Sequence, residues 1–280
     1  MEETGEPLPG EGHLRVTVAA AAVNPVDLAT RSGLMSGGTP LPEPLVLGMD
    51  VAGTIDALGP GVTGWEPGDA VIALAAHGGG YAGKVVLDAG LAVPAPASVT
   101  LPEASTLPLA GTTAAQALSL LGLSPGDRVL VTGAVGAVGG FAVQLAKAQG
   151  ATVVAYTGEG DADLARELGA DEVLVRGGDV PPRSVDAMLD AGGAPEVISA
   201  VRDGGKFVTV AARPPASERG ILPALHLVSP DPAVLRGLAR AVDDGVIRLR
   251  VAERFGFEDA ARAHHALSAG GTRGKILLVP

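Results

Sequence analysis

The sequence contains no cysteine. That absence excludes thiol nucleophiles, disulfide staples, Cys-ligated zinc and Cys-held iron–sulfur clusters, so redox chemistry would require a diffusible cofactor or a site built without thiols. Basic residues are also scarce: 20 Lys and Arg stand against 31 Asp and Glu, a formal net charge of −11, and they are scattered rather than gathered in a stripe. Such a surface suits neither nucleic acid nor an anionic membrane, and no partner of either kind is expected. Apolar runs are interrupted by Gly, Pro or charge before reaching the roughly 18 residues of a membrane span. The opening segment MEETGEPLPG lacks the basic and then apolar layout of a secretory signal, which points to a cytoplasmic protein. One catalytic signature is missing as well: there is no GxxxxGK followed by Ser or Thr for P-loop phosphoryl transfer.

What is present suffices for about two domains. The chain has 280 residues, 47% of them hydrophobic and 18% charged, so it should fold. Its first ninety or so residues read as short β segments, LRVTVAAAAV at 14–23, VAGTIDAL at 51–58, DAVIAL at 69–74 and KVVL at 84–87, separated by Gly- and Pro-rich turns. This part predicts a small β barrel or sandwich. Near residue 100 the period changes. Thr100 and Glu103 have capping-box spacing around Pro102, which predicts a helix running, with an interruption at Pro108, to about Leu121. Apolar runs then alternate with helical patterns: RVLVTG at 128–133, TVVAYT at 152–157, EVLV at 172–175, VDAML at 185–189 and KFVTVA at 206–211. Runs without polar alternation fit strands buried on both faces of a parallel sheet, and their alternation with helices predicts a doubly wound α/β domain. KILLVP at 275–280 is a further strand, after a helix at about 258–268.

RVLVTGAVGAVGGFAVQLAKAQG, from residue 128, runs from strand through glycine-rich turn to amphipathic helix. Val138, Phe141, Ala142, Leu145 and Ala146 lie at helical spacing and Gly150 follows as the stop. In GxGxxG terms Ala134, Gly136 and Gly139 fill the three places: tight turn, close approach to a pyrophosphate, and close helix–sheet packing. The helix N-terminus offers free N–H groups and partial positive charge to phosphates. The alternative is a tightly packed turn that binds nothing. At the end of the second strand an NAD site places an acid and an NADP site a cation. Here stand Ala155, Tyr156 and Thr157, with no acid until Glu159, which favours NADPH over NADH. Arg176 is the candidate cation, unless it is simply a solvated strand-end charge.

At this point the residues resemble a family. VNPVD at 23–27, GMDVAGTIDALGPGVTGWEPGDAV at 48–71, GGYAGKVV, LPLAGTTAAQAL, TGAVGAVGG and RGKILLVP occur in the order seen in the zinc-independent medium-chain dehydrogenase/reductases, and the chain is most similar to the quinone oxidoreductase, or zeta-crystallin, type. The resemblance covers nearly the whole chain. It implies a GroES-like β-rich domain over 1–97, completed by about 250–280, and a Rossmann NAD(P)-binding domain over 98–249, with substrate and nicotinamide in the cleft between them. It further implies NADPH-dependent hydride transfer to a quinone or an α,β-unsaturated carbonyl, no metal, a small-molecule substrate, and in many members a homodimer through the Rossmann sheet edge, for which the apolar run Ile221–Val228 is a candidate.

Carried over residue by residue, Asn24 and Asp27 match the family's NxxD motif. Asn24 would hydrogen-bond the nicotinamide region or a substrate carbonyl, while Asp27 is equally readable as a helix cap. Tyr81 could present its hydroxyl to the cleft or simply pack. Thr113 matches a threonine near the nicotinamide. Gly136, Ala137, Val138 and Gly139 match the phosphate loop, Tyr156, Thr157 and Arg176 the adenosine end, and Ala191 and Gly192 positions that touch adenine or ribose. Departures accompany these matches: Ala29 and Ala115 replace aromatics common in the family, and Asp161 replaces a lysine. The smaller side chains leave open a nucleotide-binding member without redox turnover, or a natural-product enzyme acting on a bulky intermediate. His264 and His265, adjacent on a predicted helix, point about 100° apart and read as a surface pair rather than a chelate.

Overall fold

The computed structural model describes residues 5–36, 45–211 and 213–280. In chain order its elements are β1 (His13–Ala22), α1 (Pro25–Arg31), β2 (Asp50–Leu58), β3 (Ala70–Leu74), β4 (Lys84–Asp88), β5 (Val93–Pro94), α2 (Leu101–Ala104), α3 (Pro108–Leu121), β6 (Arg128–Thr132), α4 (Ala137–Ala148), β7 (Thr152–Thr157), α5 (Ala162–Glu167), β8 (Glu172–Val175), β9 (Val185–Asp190), β10 (Val201–Thr209), β11 (Ala224–Leu225), α6 (Pro232–Asp243), β12 (Val251–Gly256), α7 (Ala260–Ala269) and β13 (Lys275–Val279), with short 3₁₀ turns between. Two compact units result. The first comprises Met1–Leu109, Pro230–Asp244 and Leu249–Pro280, and the second Ala110–Ser229 and Gly245–Arg248.

The first unit is built on a sheet of order β12-β13-β1-β2-β3-β5, with β4 also paired to β1. Apart from the parallel β12–β13 pair, its ladders are antiparallel. Alternation along β1 sends Leu14, Val16 and Val18 into a core shared with Val51, Ile55, Val71, Val85, Leu87, Phe257 and Ile276. Thr100 caps α2 as its spacing predicts: its hydroxyl accepts the Glu103 N–H at 3.4 Å and the Glu103 carboxylate accepts the Thr100 N–H at 2.9 Å.

α6 went unread in the sequence although its signals were there. Asp231 accepts the N–H groups of Ala233 and Val234 at 2.9 and 3.1 Å, Pro232 occupies the first turn, and Leu235, Leu238, Ala239 and Val242 form one buried stripe. This helix belongs to the first unit, whereas the sequence reading had residues 98–249 as one domain.

In the second unit six parallel strands lie in the order β11-β10-β9-β6-β7-β8. Ranked by position in the chain this is 6-5-4-1-2-3, the doubly wound order, and the strand sequence reverses between β6 and β9. Leu130, Val154, Met188 and Phe207 are buried as parallel strands require. β8 differs, with half-buried Val173 and Leu174 flanked by exposed Glu172 and Val175, because it forms the sheet edge. β10 starts at Val201, before the predicted 206, with a register shift between Val201 and Lys206. Gly150 ends α4 at φ +83°.

Packing of α4 against its strand depends on Gly139. A Cβ there would lie 2.1 Å from the Gly133 carbonyl oxygen and 2.7 Å from its carbon, both backbone atoms that cannot yield cheaply. Gly139→Ala should therefore destabilise the protein by about 2–3 kcal/mol, the upper part of the range for overpacking. Equilibrium urea unfolding measures it, and a loss below about 0.5 kcal/mol would show that α4 can shift outward freely.

Candidate functional site

Apart from Thr113 on α3, the second unit places its candidate residues at or just after the carboxyl ends of four neighbouring strands, β9, β6, β7 and β8. After β6 the chain turns at Gly133, where φ is +58°. The tight turn thus falls on Gly133, not on Ala134 as the GxGxxG count proposed; Ala134 is fully buried beside it. A glycine is needed there on conformational grounds. Gly136 is the N-cap of α4 and no side chain caps the helix. Ala137, Val138 and Gly139 form its first turn. At the end of β9, a Cβ on Gly192 would stand 2.6 Å from the Gly133 nitrogen, so two backbone segments approach as only glycines permit.

This loop pair is braced by a buried carboxylate that sequence reasoning missed. Asp190 is fully buried and accepts hydrogen bonds from the Thr132 hydroxyl at 2.6 Å, the Ala194 N–H at 2.9 Å and the Thr209 hydroxyl at 3.1 Å. Thr132 in turn accepts the Gly192 N–H at 2.9 Å. The only signal in the sequence was an acid closing an apolar strand. Beside β6, Tyr156 is buried and its hydroxyl accepts the Gly177 N–H at 3.3 Å, while the Thr157 carbonyl accepts the Arg176 N–H at 2.7 Å. Arg176 is exposed, and Ala191 is half-buried next to Gly192, which is exposed. Thr113 is buried on α3. A helix N-terminus with glycine at its N-cap, a positive-φ glycine and two glycines with no room for a side chain fit the pyrophosphate of a dinucleotide.

The first unit holds a different assembly. Lys275, the first residue of β13, is 3% exposed and Asp50, the first of β2, is 0% exposed. They form an ion pair at 3.1 Å. The Lys275 ammonium also donates to the Asn24 side-chain oxygen and, at 3.2 Å, to the Val23 carbonyl. Asp50 accepts the Leu109 N–H at 2.6 Å, so its charge also lies at the N-terminus of α3. Asn24 joins the two: its amide donates to Asp50 at 2.8 Å and to the Ala22 carbonyl at 3.0 Å. Both amide N–H groups thereby have partners within the protein, where the sequence reading had Asn24 hydrogen-bonding the nicotinamide region or a substrate carbonyl. Sequence reasoning missed Asp50 and Lys275.

Asp27 adjoins this cluster. Its carboxylate accepts the Asn24 backbone N–H at 2.8 Å, as a helix-capping acid does, and the Gly48 N–H at 3.1 Å. It also accepts the Tyr81 hydroxyl at 3.1 Å, so it is both cap and site residue. Burial pushes the Asp27 pKa up, against the Asn24 hydrogen bond and the Lys275 charge, which pull it down. The Tyr81 phenol is pushed far above its ordinary value, first by burial and then by the Asp27 charge, and stays protonated at neutral pH. Gly48 admits the ring, since a Cβ at that position would lie 2.4 Å from Tyr81 Cδ1. Across the ring lies His264 of α7, with Nε2 3.3 Å from the Tyr81 hydroxyl and the rings edge-to-face at 5.8 Å. His264 is 2% exposed and His265 is exposed, so the expected surface pair holds for only one of them. His77 is exposed. No group of three or more His, Cys, Asp or Glu placed to hold a metal occurs among the described residues.

A family model described as the alcohol dehydrogenase GroES-like domain matches residues 10–97, and one described as zinc-binding dehydrogenase matches 168–278. The 2-methylene-furan-3-one reductase of Solanum lycopersicum is 31% identical over 288 residues, covering 96% of this chain and 72% of that protein. The chain belongs to the medium-chain dehydrogenase/reductase family. A chloroplast envelope quinone oxidoreductase homolog of Arabidopsis thaliana is 39% identical over 176 residues, which cover 60% of this chain. The chain spans 54% of the length of that relative. Among solved structures, an NAD-dependent alcohol dehydrogenase superposes with a TM-score of 0.91 at 30% identity, covering all of this chain and 95% of that one. A mycobacterial protein determined with NADPH gives 0.87 at 29%, covering 100% and 95%. Medium-chain dehydrogenase/reductases are nicotinamide-dependent, and the carboxyl-end glycine cluster of this member fits that class of cofactor.

Two outcomes are expected. Lys275→Met would leave Asp50 buried without its counter-charge and should cost about 3–5 kcal/mol, with Asp50→Asn added in the double variant recovering part of it. Urea unfolding of the three variants measures this, and additive losses would mean that the pair is uncoupled. The second concerns pH. Burial, aided by Arg31, lowers the His264 pKa below 6.5, so between that lowered value and about 6.5 the unfolded chain binds a proton that the native one does not. Stability from this group is complete above about pH 6.5 and declines as pH falls through that window. His264→Gln should flatten the acid slope of Tm against pH, and an unchanged slope would show that the imidazole titrates normally in the fold.

Proposed function

We propose that this chain is an NADPH-dependent reductase that passes hydride to a quinone or to the β-carbon of an α,β-unsaturated carbonyl compound, without a metal. The observation that carries the cofactor half is the N-terminus of α4, with glycine at its N-cap behind Gly133, and Gly139 and Gly192 too close to backbone to bear side chains. Gly136, Ala137, Val138 and Gly139 would hold the pyrophosphate, Tyr156, Thr157 and Arg176 the adenosine end, and Thr113, Ala191 and Gly192 would complete the nucleotide's surroundings. The absence of an acid at Tyr156–Thr157 and the exposed guanidinium of Arg176 support the phosphorylated nucleotide. The NADPH bound by the mycobacterial structure agrees with that reading. The NAD-dependent relative shows that the fold accommodates either.

When bound, the reduced nicotinamide supplies the hydride. The remaining requirement is a proton, and Tyr81 is the protonated side chain that this chain offers for it, held by Asp27. Asn24 and Asp27 act as the frame that fixes Tyr81. The substrate class is supported by the enone reductase and quinone oxidoreductase relatives. Ala29 and Ala115, both half-buried, leave space where family members carry aromatics, in keeping with a bulky acceptor. Exposed Leu222, Leu225 and Leu227 around the edge strand β11 support a homodimer through that edge. Among the described residues no helix is long and apolar enough to cross a membrane.

Calorimetric titration with NADPH and separately with NADH tests the cofactor. NADPH should bind at least tenfold more tightly, about 1.4 kcal/mol, and Arg176→Ala should shrink that preference while leaving NADH affinity within about twofold. Failure of both nucleotides to bind would make the glycine loop structural and end the reductase reading. NADPH binding without turnover on quinones or enones would leave a nucleotide-binding protein.

A further inference from the structure

The Tyr81 hydroxyl touches two groups and has one proton. Its partners are the Asp27 carboxylate at 3.1 Å and His264 Nε2 at 3.3 Å. The other two partners of Asp27, the N–H groups of Asn24 and Gly48, can only donate, so they favour the ionised carboxylate. Toward that carboxylate Tyr81 donates. Its oxygen is then left to accept, and the nitrogen facing it must carry a hydrogen. The far side of the imidazole gives the same answer independently. Nδ1 of His264 is buried and has no hydrogen-bond partner among the described residues. A hydrogen placed there would be an unsatisfied buried donor, costing about 1–3 kcal/mol, whereas a bare lone pair costs less. Burial lowers the imidazole pKa, so the ring is neutral near pH 7 and carries a single N–H.

Resting on the reading of Tyr81 as proton source, we propose that His264 is a positioning residue for the reduction: held as the neutral Nε2–H tautomer, it donates to the Tyr81 oxygen and stabilises the phenolate that forms when Tyr81 gives up its proton. The step balances as follows. The acceptor takes a hydride, with both electrons, from the reduced nicotinamide. The Tyr81 O–H bond breaks and its proton forms a new O–H or C–H bond on the acceptor. The electron pair stays on the Tyr81 oxygen until water returns a proton. His264 keeps its proton throughout.

Charge makes such a donor necessary. Asp27 and Asp50 both disfavour a phenolate at Tyr81, and Arg31 is the cation that opposes them there. A donor aimed at the oxygen contributes little while Tyr81 is neutral and more as charge develops, so it favours the transition state over the ground state. The placement is built into the fold. α7 follows β12 and precedes β13, the strand that carries Lys275. His264 is buried while its neighbour His265 faces solvent, and its carbonyl accepts the Ser268 hydroxyl at 2.9 Å within the helix.

The test uses nitrogen-15 spectra of the histidine side chains together with kinetics on the full chain, with NADPH as donor and cyclohexenone or naphthoquinone as acceptor. The Nε2–H tautomer of His264 is expected near pH 7, with an Nε2 signal that moves in Tyr81→Phe. His264→Met, which removes the donor but keeps bulk, should lower kcat on cyclohexenone at least tenfold and raise the solvent deuterium isotope effect, with NADPH affinity within twofold. His264→Gln, whose amide can donate, should restore most of kcat, and it serves as the test if the Met variant does not fold. An Nδ1–H tautomer, or a His264→Met enzyme with unchanged kcat and isotope effect, would overturn the inference alone. Wild-type protein that binds NADPH yet reduces neither acceptor would overturn the reductase reading and this inference with it.

Discussion

The ion pair between Lys275 and Asp50 is the constraint on which the first unit's polar site rests. Two opposite charges at 3% and 0% exposure would be costly to bury unless each found further partners. Asn24 supplies them on both sides, its oxygen toward the ammonium and its amide toward the carboxylate. That commitment fixes the start of α1, where the Asn24 backbone N–H meets Asp27, and Asp27 in turn anchors Tyr81. The chain of contacts runs from Lys275 on β13 through Asn24 and Asp27 at the start of α1 to Tyr81 without a gap. Buried polar networks of this kind hold one arrangement because every alternative leaves a charge or donor unmatched.

The second unit solves a different problem, bringing two backbone segments close enough that neither tolerates a Cβ. Gly133 and Gly192 meet between the ends of β6 and β9, where the strand order reverses, and Asp190 ties both loops to the sheet through Thr132 and Ala194. The carboxylate is thus part of the scaffold of the loop. It replaces, with side-chain acceptors, partners that the turning backbone could not provide for itself.

How much of this was legible follows from the range of the interactions. Local signals were readable: the Thr100–Glu103 cap, the buried apolar strands of the parallel sheet, and the α4 pattern closed by Gly150 all depend on neighbours within a few residues. The order of motifs further pointed to the family and thus to both architectures. Asn24, Asp27 and Tyr81 were named, but the partners that define them were not. Asn24 meets Lys275 across 251 positions and His264 meets Tyr81 across 183, and no periodicity in one sequence encodes such pairings. The misplacement of the tight turn on Ala134 has a related cause. Counting glycines gives spacing, while positive φ at Gly133 is decided by where β6 ends.

The discontinuity of the first unit bears on how the protein is made. Residues 110–229 form most of the second unit as one uninterrupted stretch, whereas Asn24 waits for Lys275, 251 positions later. At roughly 5–20 residues per second, translation separates the two by on the order of 10–50 s. During that interval the nascent front sheet has β1 without its β13 neighbour, and Asp50 has no ammonium to face. The second unit can therefore mature on the ribosome first, and the buried polar array around Lys275 assembles last.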